Sequence, residues 1–228
     1  MSRFYKKQTL SEFQNLISEI YSLPDDRLYS IWDLLTQQQR FTMRSLKGIR
    51  KGDIEKVKYN LLISFSWLMA IANRLHIDLD EDIWKRFPGM CSYCGAMPCM
   101  CKKEKPSKRE KIKFKNSLKP KNLQEIQKMF ANIYPPKKRS LVNAGVHLAE
   151  EMGEVSEAIH NFLGQHRQKQ FDEIKLEMSD YISCVCGVAN SADINMAEEL
   201  EKIFYENCHI CHKKPCVCSF TSIVGLKT

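Results

Sequence analysis

The pattern C-x2-C-x4-C-x-C occurs twice in this chain, at Cys91, Cys94, Cys99 and Cys101 and again at Cys208, Cys211, Cys216 and Cys218. The copies stand 117 residues apart, and the similarity reaches back from them. At that offset 13 of the 50 residues from 52 to 101 are identical, among them Ala72-Asn73 with Ala189-Asn190 and Phe87 with Phe204. Nearer the start the offset is 113: Leu10 matches Leu123, Gln14 matches Gln127, and Ile20-Tyr21 matches Ile133-Tyr134. A four-residue difference confined to one turn is what a duplicated structural unit shows. Whatever one half folds into, the other is expected to fold into as well.

The expected fold is all-α. Apolar residues recur at helical spacing, as in Leu61, Phe65, Leu68 and Ala72, and no segment alternates with period two. Gly and Pro number only 9 and 8, which favours helices over turn-rich sheets. Each half reads as four helices followed by a cysteine knuckle. The expected spans are 10–22, 28–48, 53–75 and 79–87, then 123–133, 140–163, 170–191 and 195–206. Pro24 and Pro135-Pro136 punctuate the first connections, and Asp78 and Asn195 suit the N-caps of the fourth helices. The division that follows is 1–101, a linker over 102–121, 122–220, and a tail over 221–228.

Residues 150–180 carry the chemistry. Glu151 with Glu154, and Glu177 with Asp180, are each three residues apart and so share a helix face. Between them lies the polar run LGQHRQKQ, where Gly164 marks an expected helix end and turn. Both pairs are mirrored about one point near residue 165, so an antiparallel hairpin brings four carboxylates to one level. Uncompensated, the cluster would repel itself and partly protonate. A hard divalent cation with oxygen ligands, Mg²⁺ or Mn²⁺, removes the repulsion.

These same residues, Glu150-Glu151 with Glu154, then Glu177 with Asp180, resemble the EExxE…ExxD signature of MazG-like nucleoside triphosphate pyrophosphohydrolases. HLAEEMGEVSEAI and ANSADINMAEEL are similar to that family too, and the resemblance covers about residues 123–206. It implies carboxylates that bind Mg²⁺ and a hydrolase that cuts (d)NTPs to (d)NMP and pyrophosphate. Carried over, Glu150, Glu151, Glu154, Glu177 and Asp180 are the catalytic set. Glu150 is either an outer ligand, a general base or a solvated acid. Asn190 matches an asparagine common in the family and is a candidate for sugar or base. Lys175, Lys169 and Arg167 are candidates for phosphate, and His147 could line the site. The family dimerises, which implies that the two four-helix units form an internal pseudo-dimer. A homodimer of the whole chain is left open.

The repeat tests the assignment. Glu150, Glu151, Glu154, Glu177 and Asp180 fall on Gln37, Gln38, Phe41, Asn60 and Ile63. The first half has none of the acids, and Phe and Ile exclude a hydrated metal. It reads as a degenerate, non-catalytic partner. Lys58 and Asn73 repeat Lys175 and Asn190, which weakens a catalytic role for those two.

Four thiolates within eleven residues suit tetrahedral Zn²⁺, so two structural zinc sites are expected, with an iron–sulfur cluster as the minor alternative. His209 and His212 are set aside as ligands because their counterparts are Ser92 and Gly95. Cys184 and Cys186 align with Trp67 and Met69 and read as core.

The net charge of +8 resides in one segment. Residues 102–121 hold nine Lys, one Arg and two Glu, while the other 208 residues balance at 25 basic and 25 acidic. With Phe114 as its only aromatic, the segment reads as a solvated linker before it reads as a nucleic-acid contact. The start MSRFYKKQTLSEF has no secretory h-region, and the apolar run at 61–72 is too short for a bilayer. A cytoplasmic protein without a membrane partner is expected. Glu157 with His160 gives one Glu-x-x-His spacing, but a di-iron bundle needs two. The competing readings are a related phosphoribosyl-ATP pyrophosphatase and a zinc-containing nucleotide sensor or scaffold without turnover.

Overall fold

The computed structural model describes residues 3–110, 115–219 and 225. Among these there is no strand; the elements are eight α-helices and two short 3₁₀ turns. The helices are α1 (Leu10–Leu28), α2 (Ile31–Lys51), α3 (Ile54–Arg74), α4 (Leu79–Arg86), α5 (Leu123–Ile133), α6 (Leu141–Gln165), α7 (Gln168–Ser191) and α8 (Met196–Ile203). Starts are fixed by side-chain caps: Thr9, Ser30, Asp53, Asn122, Ser140 and Asn195 each accept the N–H three residues on. None of the helices is long and apolar enough to cross a membrane.

The chain divides at places the repeat does not suggest. One compact unit is Met1–Asp78 with Asn195–Thr228, and the other is Leu79–Ile194. These compact units do not follow the division at the Lys-rich segment. Each unit takes its fourth helix and its cysteine knuckle from the opposite half of the sequence. Similarity between the halves does not distinguish the two arrangements, because the docking residues Ile20 and Ile133, and Phe204 and Phe87, recur at equivalent positions.

In the first unit, α2 packs along α3, with α1 across α3 and α8 beside it. Phe13 joins Phe4, Phe65 and Phe204 in a ring cluster with centroids 4.9 to 5.9 Å apart. Burying each such side chain contributes roughly 1.5–3 kcal/mol. Pro24 does not end α1, which was expected to stop at residue 22. It lacks the N–H that would bond to Ile20, and the freed Ile20 carbonyl accepts the N–H of Cys216 at 2.7 Å. The proline thereby seats the second knuckle.

In the second unit, α6 packs along α7, and α4 and α5 also lie on α7. Here Cys99 N–H bonds to the carbonyl of Ile133, the last residue of α5, at 2.8 Å. Phe87 meets Phe130 at 5.0 Å, as Phe204 meets Phe13 in the first unit. The described part of segment 102–121 belongs to this unit alone and is anchored rather than free. Lys105 and Arg109 cover the Tyr93 ring, Glu110 N–H bonds to the Tyr93 carbonyl, and Lys119 pairs with Asp80 at 2.7 Å and with Glu81. Of the expected tail over 221–228, all but residue 225 lies outside the described residues.

Candidate active site

The α6–α7 hairpin presents the acids. α6 runs past Gly164 and closes at His166, which takes a left-handed φ of 53° and donates its N–H to Phe162. The short connection leaves α7 antiparallel to α6, as the mirrored spacing requires. Glu151, Glu177 and Asp180 each offer a carboxylate oxygen, and the three lie within 4.8 Å of one another. Glu154 stands within hydrogen-bonding reach of Glu177 but outside that trio. Glu150 faces solvent.

The electrostatics are those of crowded, half-buried carboxylates. Glu151 Oε2 is buried and has no hydrogen-bond partner. Burial, then the charges of Asp180, Glu154 and Glu177, push the Glu151 carboxyl up to about 8 against the opposing pull of Arg86. Burial, Asp180 and Glu154 push Glu177 up to about 7. An all-oxygen, anionic donor set with an unsatisfied buried oxygen fits a hard divalent cation.

One member of the site was not foreseen. Arg86, the last residue of α4, sends Nε to Asp180 Oδ1 at 3.0 Å and Nη2 to Oδ2. Both side chains are largely buried, at 9% and 15% exposure. This two-pronged contact fixes the plane of the carboxylate. Sequence reasoning passed over Arg86 because it lies in the half without acids. Its repeat counterpart, Ile203, is apolar like Ile63, the counterpart of Asp180, and that coupled change was the available signal.

Other candidates are engaged elsewhere. Lys175 pairs with Asp172 at 2.9 Å and covers the Phe171 ring, and Lys169 reaches Glu173 at 3.9 Å. Arg167 precedes α7, where its backbone N–H bonds to Gln170. His147 lies beside Glu150 and Arg139. Asn190 exchanges amide bonds with Gln127, donating to its carbonyl and accepting from its Nε2 at 3.0 Å. Asn73 and Gln14 form the same pair in the first unit. Cys184 and Cys186 are buried on α7.

In the first unit the positions matching the acids are sealed. Gln38, Phe41, Asn60 and Ile63 are all at most 1% exposed. Gln38 turns to Thr42 and Asn60 to the Lys56 carbonyl.

The two cysteine groups are closed sets of thiols. Cys91–Cys101 and Cys94–Cys99 sulfurs lie 3.8 and 3.9 Å apart, and Cys208–Cys218 and Cys211–Cys216 both 3.8 Å. A tetrahedron with ~2.3 Å Zn–S bonds has edges of about 3.8 Å. Backbone N–H groups of Met100, Cys101, Ile210 and Cys218 point at the sulfurs, as thiolates require. His209 is not in the set; its Nδ1 meets the Tyr21 hydroxyl at 3.1 Å. The first group lies close in the chain to the arginine that holds Asp180: only four residues separate Cys91, which accepts from the Tyr134 hydroxyl, from Arg86.

Comparison with curated proteins and with solved structures finds no match. Residues 140–215, which hold the acid hairpin, α8 and the first two cysteines of the second knuckle, match the family described as MazG nucleotide pyrophosphohydrolase domain.

Proposed function

We propose that the second unit hydrolyses (d)NTPs to (d)NMP and pyrophosphate with Mg²⁺, and that the first unit is a degenerate, non-catalytic copy produced by duplication. The observation that carries the reading is the trio Glu151, Glu177 and Asp180, with its buried, unpartnered Glu151 oxygen. The family match over 140–215 supports the reaction class. Glu151, Glu177 and Asp180 would hold the ion, with Glu154 beside them. Bound there, Mg²⁺ neutralises the triphosphate and lowers the cost of attack at phosphorus. Arg86 holds Asp180 in one orientation, so that ligand enters the site preorganised. A carboxylate of the cluster without a full share of metal charge accepts the proton of the attacking water, and Glu154, adjacent to Glu177 but outside the trio, suits that task. The attack falls between the α- and β-phosphates, so pyrophosphate leaves. Zn²⁺ in each knuckle is structural, because four sulfurs leave no open ligand position. The chain acts in the cytoplasm on free nucleotides, and the Lys-rich segment serves its own unit rather than nucleic acid.

A panel of (d)NTPs with Mg²⁺, scored for pyrophosphate release by wild type and Glu154→Gln, tests this. Release from at least one nucleotide, lost in the variant, is expected. Mg²⁺-dependent binding without release would make the protein a sensor. Unchanged turnover in the variant would mean that the proton acceptor is another group.

A further inference from the structure

Arg139 lies in the second unit, just before the serine that caps α6. Its guanidinium lies 5.7 Å from the centre of the Tyr134 ring. Among the described residues it has no ion pair. The guanidinium packs against Gly187: a Cβ there would stand 3.2 Å from Nη1, close enough that the side chain would have to shift by a few tenths of an ångström. Gly187 follows Asp180 by seven residues, two helical turns along the same face of α7 and about 10 Å up its axis. Between them sits Cys184. Burial raises its thiol to about 12, the charge of Glu151 adds to that, and the charge of Arg139 opposes it. The charges of Glu151 and Arg139 thus both reach this thiol.

The first unit holds the opposite arrangement. Each second helix begins on a capping serine, Ser30 or Ser140, and the residues before those caps are Tyr29 and Arg139. Gly187 aligns with Ala70 and Cys184 with Trp67. Tyr29, Phe41, Ile63, Trp67 and Ala70 enclose a cavity of only about 30 Å³, room for one water. Where the first unit has Tyr29, Trp67 and Ala70, the second has Arg139, Cys184 and Gly187, with the guanidinium against the glycine of the helix that carries Glu177 and Asp180.

From this juxtaposition we propose that Arg139 is an anion-binding residue that takes the outer phosphates of a triphosphate, the part that leaves as pyrophosphate, while the inner end lies at Glu151, Glu177 and Asp180. The proposal rests on the hydrolase reading for the identity of its ligand, but not for the existence of the anion site. A guanidinium suits the task because its forked donors match two phosphate oxygens at once. Gly187, against which the guanidinium packs, lies about 10 Å along α7 from Asp180, further than one phosphate spans and within reach of a chain of them.

The test is calorimetric binding of inorganic tripolyphosphate at saturating Mg²⁺ to wild type, Arg139→Ala and Arg139→Lys. Mn²⁺ affinity and zinc content are measured on the same samples. The Ala variant is expected to bind tripolyphosphate about ten- to hundredfold more weakly, with Mn²⁺ affinity and zinc unchanged and the Lys variant between. Gly187→Ala, which crowds the guanidinium without removing it, is expected to weaken binding less. Wild-type affinity in Arg139→Ala overturns the proposal. So does a matching loss of Mn²⁺, which would make Arg139 a support for the acids, and so does a wild type that binds no tripolyphosphate. If Arg139-dependent tripolyphosphate binding is found in a protein that releases pyrophosphate from no nucleotide, the hydrolase reading fails and the anion site stands.

Discussion

The two units share a fold plan and differ in what stands at the positions of the acids. Both seat a knuckle on an equivalent carbonyl, Ile20 or Ile133, and both lock their helices with the same Asn–Gln amide exchange. In the first unit Phe41 and Ile63 fill the cleft between the second and third helices. In the second, Glu154 and Asp180 stand there, with Arg86 in place of Ile203. The shared features keep the helices in register; the differing ones are charged in the second unit and either apolar (Phe41, Ile63, Ile203) or neutral and polar (Gln38, Asn60) in the first. Packing is thus separable from chemistry in this molecule, residue by residue.

The largest expected break in that contrast is at the acids. Asp180→Asn or Glu177→Gln should lower kcat by about a thousandfold, since a displaced metal forfeits several kcal/mol of charge stabilisation. Gln38→Ala or Asn60→Ala should leave turnover within about twofold while costing roughly 1–3 kcal/mol of stability; steady-state kinetics and denaturant melts separate the two. The knuckles should also behave unequally. Cys94→Ser and Cys211→Ser should each release one zinc per chain, but Cys94→Ser alone should cost about ten- to hundredfold in turnover, because its knuckle continues from Arg86. Arg86→Gln should show a loss of similar size with both zincs retained. Equal effects of the two cysteine variants would contradict the crossed assignment of knuckles to units.

Smaller effects sharpen the electrostatics. Glu151 and Glu177 bind protons more tightly in the folded protein than their ordinary 4.5, at about 8 and about 7. Their contribution to the stability of metal-free protein is therefore fully present below about pH 4.5 and lost as the pH rises through 7 to 8. Metal affinity should move the other way, rising up to about tenfold per pH unit over pH 6 to 8 as the ligands shed protons. Proton release on Mg²⁺ binding, read by calorimetry in buffers of different ionisation enthalpy, checks the sign. Smallest, Asn190→Ala and Asn73→Ala should each destabilise by about 1–3 kcal/mol with no change in KM. A KM effect confined to Asn190 would restore it as a substrate contact.

Most of the helical plan was legible in the sequence, because helical periodicity, the mirrored acids and the duplicated cysteines are local or symmetric signals. α3 and α5 fell almost where the pattern put them. α1 did not, since Pro24 sits inside a helix whose lost bond is replaced by a distant knuckle, and no local rule encodes that replacement. The crossing of α4 and α8 between units was invisible for a deeper reason: repeated sockets are degenerate, so sequence similarity cannot tell which copy a helix will enter. Arg86 was missed as a consequence. The acids of the site could be found from spacing alone, whereas their cation arrives from across the chain.

The most direct test is a Mn²⁺ titration followed by electron paramagnetic resonance on wild-type protein and Asp180→Asn, with zinc measured in both. Saturable Mn²⁺ binding in wild type, lost or greatly weakened in Asp180→Asn while two zincs remain, is the expected result. Mn²⁺ binding that is absent from wild type, or that survives Asp180→Asn unchanged, would contradict a cation site built by the acids of α6 and α7.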